Sequence, residues 1–323
     1  MINVKPIKKA FHFIRQKTKP AAVILMYHRV SDVSIEPNWL AVSPTNFTHQ
    51  IQYLRQAFHP MRLTDLVEGV KNCSLPERAV AVTFDDGYSN NLTHALPVLE
   101  AANVPATIFV TLSHIDSEHE PWWDEMKHFL LGTEQVPARL SILIEGHECS
   151  WPTTTLAERI IAQRTLENLM RPLPTYVNDD ILDKLAQWTG LPRKLRAAYR
   201  TVTSKELGQL AQHPLIELGA HTITHPILPT LTLDAQFNEI MGSRYSLEKM
   251  IHRPIRAFAY PNGDFTEQTK KLVDAAGYSA AFTTVRGRVE PGDDVLQLRR
   301  CAVNDWTIEQ FKQNLEAYFN DRS

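Results

Sequence analysis

The sequence predicts an α/β protein: a distorted (β/α) barrel, TIM-like with about seven strands, carrying a mostly helical insertion. Three observations predict it. Short apolar strand-like runs alternate with amphipathic helical segments along most of the 323 residues. Two of those runs stop abruptly on clustered carboxylates or histidines. The alternation then lapses over one span, about 114–203, too long for a plain βα connection. A doubly wound open sheet is the structural alternative, but no glycine-rich phosphate loop supports it. The expected organisation is a basic segment over 1–20 and a barrel over 21–323, interrupted by the insertion.

Taken in order, Val23–Met26 reads as the first strand. Asn46 is placed to cap a helix running to Phe58, with Phe47, Ile51 and Leu54 on one face. A short strand near Met61–Leu63 and a helix from Thr64 follow. Ala79–Phe84 is small, β-branched and uncharged, the pattern of a strand buried on both faces. A helix over Asn91–Ala102 leads to a strand at Ala106–Val110. The insertion holds Trp122-Trp123-Asp124-Glu125, a strand-like piece at Leu140–Ile144 and helical stretches near 155–170 and 180–188. Beyond it, strands are expected at Ile216–Ala220, Arg256–Tyr260, Ala280–Thr284 and Val295–Leu298, with helices over 204–212, 233–251, 266–276 and 307–319.

Composition narrows the class. With 43% hydrophobic and 22% charged residues the chain has ample material for a core, and a net charge of −2 gives no reason to expect nucleic acid. Cys73, Cys149 and Cys301 are odd in number and widely spaced, neither a disulfide framework nor a cysteine zinc site, and they fit a reducing compartment. No apolar run approaches the roughly 20 residues of a membrane helix. Ala21–Met26 is too short for a signal-peptide core, so a cytoplasmic protein is expected. Ile7, Phe11 and Ile14 fall at helical spacing among lysines, which suggests a basic amphipathic helix over 5–17. Such a helix either plugs one end of the barrel or makes peripheral membrane contact.

The chemistry sits where strands end. Asp85 and Asp86 close a buried strand, and two adjacent acids there repel each other and resist desolvation. A divalent cation is the simplest way to hold them; a solvated Asp-Asp-Gly turn is the alternative. His221 and His225 follow another apolar strand at a spacing that lets both imidazoles share one metal. Barrel active sites lie at the carboxyl ends of the strands. One carboxylate and two histidines, with positions left open for water, describe a catalytic metal site. Mixed nitrogen and oxygen ligands favour Zn2+, while Co2+, Ni2+ or Fe2+ also fit.

Thr83-Phe84-Asp85-Asp86-Gly87 and His221-Thr222-Ile223-Thr224-His225 resemble the first two motifs of the polysaccharide deacetylases, carbohydrate esterase family 4, with their nodulation-deacetylase homology domain. Phe258-Ala259-Tyr260-Pro261-Asn262-Gly263 resembles the third. The resemblance spans residues 20–115 and 215–305 and leaves the insertion uncovered. It implies Asp85 as general base, Asp86, His221 and His225 as metal ligands, and the Asn262 backbone N–H as oxyanion donor. The family's third-motif arginine is replaced here by Ala259, so Arg299 or Arg300 on the last strand becomes the candidate to orient the base. No late histidine follows in Leu296–Val303. Met26-Tyr27-His28-Arg29-Val30 instead resembles the start of the circularly permuted exopolysaccharide-deacetylase subgroup, which implies His28 as general acid. Tyr260, Trp122 and Trp123 are candidates to stack on sugar rings, with packing inside the insertion as the alternative for the tryptophan pair. The expected activity is hydrolysis of an N-acetyl group from an amino sugar in a polysaccharide, oligosaccharide or lipid-linked precursor. A deformylase or other small amide hydrolase, or an inactive carbohydrate-binding protein, would use the same scaffold.

Overall fold

A computed structural model describes residues 20–32, 39–133 and 135–320. The expected helix over 5–17 lies outside the described residues. The chain opens with β1 (Ala22–Tyr27), followed by the short parallel pair β2 (Arg29–Val30) and β3 (Ala41–Val42). Helix α1 (Pro44–Ala57) starts two residues before the expected cap. Ser43 is the cap, accepting from the Asn46 N–H, and Pro44 takes the first helical position, where its missing N–H costs nothing. Asn46 turns its amide to the Asp305 carboxylate instead, at 2.7 Å.

The expected strand near Met61–Leu63 lies earlier, as β4 (His59–Pro60), because Leu63 already opens α2 (Leu63–Lys71). The carboxylate of Glu217 caps that helix, accepting from the N–H groups of Leu63 at 3.1 Å and Thr64 at 3.3 Å. Strand β5 (Ala79–Phe84) is buried at every position, as is β1 beside it. The next helix begins as a wide π turn over Asn91–Ala95 before α3 (Leu96–Ala102). Pro97 has no N–H to return to the carbonyl of Thr93, so a regular α turn cannot form there. Strand β6 (Ala106–Val110) completes this half of the barrel.

The insertion is α4 (Trp122–Leu131), a hairpin of β7 (Arg139–Ile144) and β8 (His147–Pro152), then α5 (Leu156–Met170) and α6 (Thr175–Thr189). It closes its own apolar core, with Phe129, Leu140, Leu166 and Leu185 among the buried residues. Strand β7 alternates exposed and buried side chains, the signature of a two-stranded ribbon lying on helices.

The chain returns to the barrel through α7 (Ser204–Gln212), β9 (Ile216–Ala220), α8 (Leu233–Ile251), β10 (Ala257–Ala259), α9 (Glu267–Ala275) and β11 (Ala280–Phe282). It ends with β12 (Cys301–Ala302) and α10 (Ile308–Asn320). The strand order is β11-β10-β9-β6-β5-β1-β12, all parallel, with β4 beside the start of β5. Val295–Leu298 is not a strand, contrary to the sequence expectation. The Asp294 carboxylate holds the Leu296 N–H in a turn, and only Leu298 bridges Phe282. The stretch between β11 and β12 is joined by a short irregular set of backbone bonds: Ala281 N–H to Val295 at 2.8 Å, Leu298 N–H to Ala281 at 2.9 Å, Thr283 N–H to Leu298 at 2.9 Å and Arg300 N–H to Val285 at 3.1 Å. This irregular seam is what distorts the barrel.

Candidate active site

Every motif residue lies just past a strand end on one face of the barrel. The Asp85 N–H still donates to the Tyr27 carbonyl, at 3.0 Å, so Asp85 continues the strand. The backbone then turns, with Asp86 at φ 69° and Gly87 at φ 71°. Glycine is needed there: the conformation is left-handed, and a Cβ would sit 3.2 Å from the Val110 side chain. Past β9, the His221 N–H donates to the Val110 carbonyl, and its Nδ1 meets the Ala259 carbonyl at 2.8 Å. That bond requires a proton on Nδ1 and leaves the Nε2 lone pair facing the site. His225 is reached through a loop that two groups hold. Thr222 Oγ1 accepts from the His225 N–H at 3.0 Å, and Glu239 on α8 accepts from the Ile223 and Thr224 N–H groups at 2.7 and 2.9 Å.

These turns bring Asp86, His221 and His225 together. Both Nε2 atoms lie 3.6 Å from Asp86 Oδ1, and one ligand atom from each residue falls within 4.8 Å of the others. Asp86 Oδ1 is buried and has no hydrogen-bond partner among the described residues. Burial, then the charges of Asp85 and Asp124, push the Asp86 carboxyl well above its ordinary range. Burial pushes both histidines down, toward the neutral form that ligates. An orphaned carboxylate oxygen facing two neutral imidazoles fits a divalent cation.

Asp85 is held differently. The fully buried Arg300 guanidinium donates to both carboxylate oxygens, each at 2.7 Å, and its Nε donates to the Thr283 carbonyl at 2.9 Å. Burial alone would raise Asp85, but the Arg300 charge, followed by His221 and the Arg300 hydrogen bonds, holds it well below the usual carboxylate range. Of the two arginines expected to orient this group, Arg300 does so. Arg299 lines a separate cavity with Phe265, Asp293 and Gln297.

A cleft of about 270 Å³ opens over these groups. Its walls include His28, Asp85, Asp86, His221, His225 and Asn262 from the barrel, and Trp122, Trp123, Glu167 and Arg171 from the insertion. Burial lowers His28 to about 4, against the opposing pull of Asp85. Asn262 sits at φ 57° in the turn after β10, where its carbonyl accepts from Thr284 Oγ1 at 2.9 Å. Trp123 is buried with its ring centroid 4.9 Å from that of His225, while Trp122 stays half-buried at the cleft. Tyr260 does not reach the cleft. Its ring is fully buried, stacked on Phe265 at 4.7 Å, with its hydroxyl donating to the Leu296 carbonyl at 2.9 Å. A tyrosine packed this way belongs to the core and presents no face to a sugar.

Sequence reasoning did not single out Glu167 and Arg171, which pair at 2.8 Å at the C-terminal end of α5. Nothing in a polar i,i+4 pair on a helix distinguishes a cleft wall from a solvated face. Leu40 and Thr284, also at the cleft, carry no signal of their own.

The chain matches the polysaccharide deacetylase family model over residues 73–138 and 177–281. The match contains Asp85, Asp86, His221, His225 and Asn262, whereas His28 and Arg300 lie outside it. YxkH of Bacillus subtilis (strain 168), which carries the name of a polysaccharide deacetylase, is 23% identical over 314 residues, covering 93% of this chain and 81% of that protein. The poly-beta-1,6-N-acetyl-D-glucosamine N-deacetylase of Escherichia coli (strain K12) is 30% identical over 97 residues, 29% of this chain and only 14% of that enzyme's length. Among solved structures, the Streptococcus pyogenes deacetylase PplD in complex with acetate superposes with a TM-score of 0.62 at 19% identity, covering 92% of this chain and 99% of that one. IcaB from Ammonifex degensii gives 0.60 at 20% identity, covering 92% and 96%. The structural likenesses establish a shared fold. The family match spans more than half of the sequence and contains the residues gathered at the cleft, and the chain belongs to the polysaccharide deacetylase family.

Proposed function

We propose that the chain is a metal-dependent N-deacetylase that hydrolyses the N-acetyl group of an amino sugar within a glycan. Family membership supplies the reaction class, deacetylation of a polysaccharide. One observation carries its assignment to this site: buried Asp86 and His221, with a half-buried His225, lie beside a carboxylate that Arg300 keeps ionised. The triad would hold the ion, and its donor set favours Zn2+, with Co2+, Ni2+ and Fe2+ fitting the same ligands. A bound divalent ion supplies Lewis acidity toward the acyl carbonyl and lowers the pKa of water.

The protein's own groups do the rest. Asp85 accepts the proton of the attacking water, and Arg300 fixes the direction from which it does so. His28 rests neutral at pH 7 and must collect a proton before it protonates the leaving amine. The turn carrying Asn262 offers a backbone N–H at the cleft wall, suited to the developing oxyanion. Trp122 offers a half-buried indole face to a sugar ring. The substrate named for the Escherichia coli relative supports β-1,6-linked N-acetylglucosamine oligomers as the first glycan to test.

The experiment is acetate release from such oligomers and from other N-acetylated glycans, with metal content measured in parallel. The wild-type chain should release acetate, and Asp85→Asn should lose nearly all turnover while keeping its metal. A metal-loaded chain that releases no acetate from any of them, or that releases formate from N-formyl sugars instead, overturns the reading.

A further inference from the structure

The insertion does more than cover the cleft. Asp124, on its first helix, is completely buried, and so is Arg29 opposite it. Arg29 follows His28 at the end of β1, and its Nη1 lies 2.9 Å from both oxygens of the Asp124 carboxylate. Tyr88 lies two residues past Asp86 at the end of β5, and its hydroxyl donates to the same carboxylate at 2.6 Å. Trp123 donates its indole N–H to that Tyr88 hydroxyl at 2.9 Å and lays its ring against His225. Lys127, one turn along α4, reaches Asp124 at 3.0 Å.

We infer that Asp124 is a positioning residue of the metal centre, a carboxylate from the insertion that ties together the strand ends bearing His28, Asp86 and His225. The inference rests on the metal site proposed above. Its physical basis has two parts. The first is geometric: one carboxylate collects donors from two strand ends and, through Tyr88 and Trp123, meets the third, so these backbones share one anchor. The second is electrostatic. Arg29 and Lys127 each hold a buried cation against Asp124, whose negative charge offsets theirs. Asp124→Asn would remove that negative charge from a place where another cation has to bind. Partners that orient metal ligands from outside the coordination sphere typically contribute roughly 10–100-fold to metal affinity.

The test is a Zn2+ titration of the full chain against a chelating dye, with the visible spectrum of the Co2+ form as a second readout. Glu125→Gln is the control. It breaks a largely buried ion pair on the same helix, to Arg193 at 2.7 Å, and its other side-chain partner, His119, likewise lies outside the segments that bear the ligands. Asp124→Asn should weaken Zn2+ binding roughly 10–100-fold and change the Co2+ spectrum, whereas Glu125→Gln should lower thermal stability and leave both unchanged. Tyr88→Phe, which deletes only the hydroxyl joining Asp124 to Trp123, should weaken binding in the same direction and decides the question if Asp124→Asn does not fold. Wild-type affinity and spectrum in Tyr88→Phe and in folded Asp124→Asn would make Asp124 a purely structural residue and overturn the inference. A wild-type chain that binds no metal would instead overturn the proposed function.

Discussion

Replacing Arg300 with methionine separates the two roles that a base-orienting arginine combines. The substitution keeps much of the side-chain length but removes the two 2.7 Å bonds to Asp85 and the 2.9 Å bond to the Thr283 carbonyl. Removing one partner of a buried pair costs about 3–5 kcal/mol, because the remaining charge is stranded. With an unfolding entropy of about 2.1 cal/mol/K per residue, 323 residues give about 0.7 kcal/mol/K, so Tm should fall by about 4–7 °C. Asp85 can escape part of that cost by taking up a proton, since burial is the largest influence on it and acts upward. A protonated Asp85 cannot accept another proton, so kcat should fall by about 10²–10⁴, the usual worth of a general base. Metal content should stay at the wild-type level, because the Arg300 guanidinium bonds Asp85, Thr83 and the Thr283 carbonyl rather than a residue of the Asp86, His221 and His225 set. Arg300→Lys keeps the charge but loses the fork and should recover only part of the rate. Arg299→Ala should stay near wild-type kcat. Acetate-release kinetics, thermal melts and metal analysis on the three variants provide the check. An Arg300→Met enzyme with wild-type kcat, or a loss confined to Arg299→Ala, would refute the assignment.

Other outcomes follow from the same geometry. Glu239→Ala removes the acceptor for the Ile223 and Thr224 N–H groups and frees the loop carrying His225; Zn2+ affinity should drop roughly tenfold or more in a dye-competition titration. Trp122→Ala should raise KM for an oligosaccharide roughly tenfold, the worth of one aromatic face, while kcat and metal content hold. Glu206 is lowered to about 2, first by the Arg200 hydrogen bonds, against its burial. A depressed carboxylate contributes stability that is complete above its ordinary pKa, near 4.5, and that is lost as pH falls toward 2. Urea midpoints measured at pH 5 and pH 3 should therefore diverge less in Glu206→Gln than in the wild type.

The barrel was legible where physics writes it into the sequence. Parallel strands buried on both faces need near-continuous apolar runs, and β1, β5 and β6 have them, whereas β9 is interrupted by Glu217, the residue that caps α2. The site triad was legible because Asp86 and His221 directly follow such runs. Strand β8 was missed because His147–Pro152 is a polar edge of a ribbon, with no apolar run to mark it. The choice between Arg299 and Arg300 depended on which of two neighbours points inward, and a seam outside regular strand has no periodicity to reveal that. Tyr260 misled because its motif places the backbone at the cleft, while the ring turns back to Phe265. Glu167 and Arg171 depend on how the insertion docks, and no local pattern encodes docking.

The charges around the site explain why it can fold and still want an ion. Three acids, Asp85, Asp86 and Asp124, are buried close together. Two of them have a fully buried arginine: Asp85 has Arg300, and Asp124 has Arg29. Among the described residues Asp86 has no such arginine, and it faces two histidines that burial holds toward neutrality. The backbone adds to the tension there. Asp86, Thr222, His225 and Asn262 all occupy the left-handed region, at a cost of order 1–3 kcal/mol each. The hydrogen bonds that Thr222 and Glu239 accept hold the loop in that conformation, but they do not neutralise Asp86. Matching two acids with arginines and leaving the third unmatched confines the unbalanced charge to one atom, Asp86 Oδ1, between two nitrogen lone pairs. A cation bound there cancels the repulsion from Asp85 and satisfies the orphaned oxygen at once, whereas a third arginine would fill the space that water and an acyl group need.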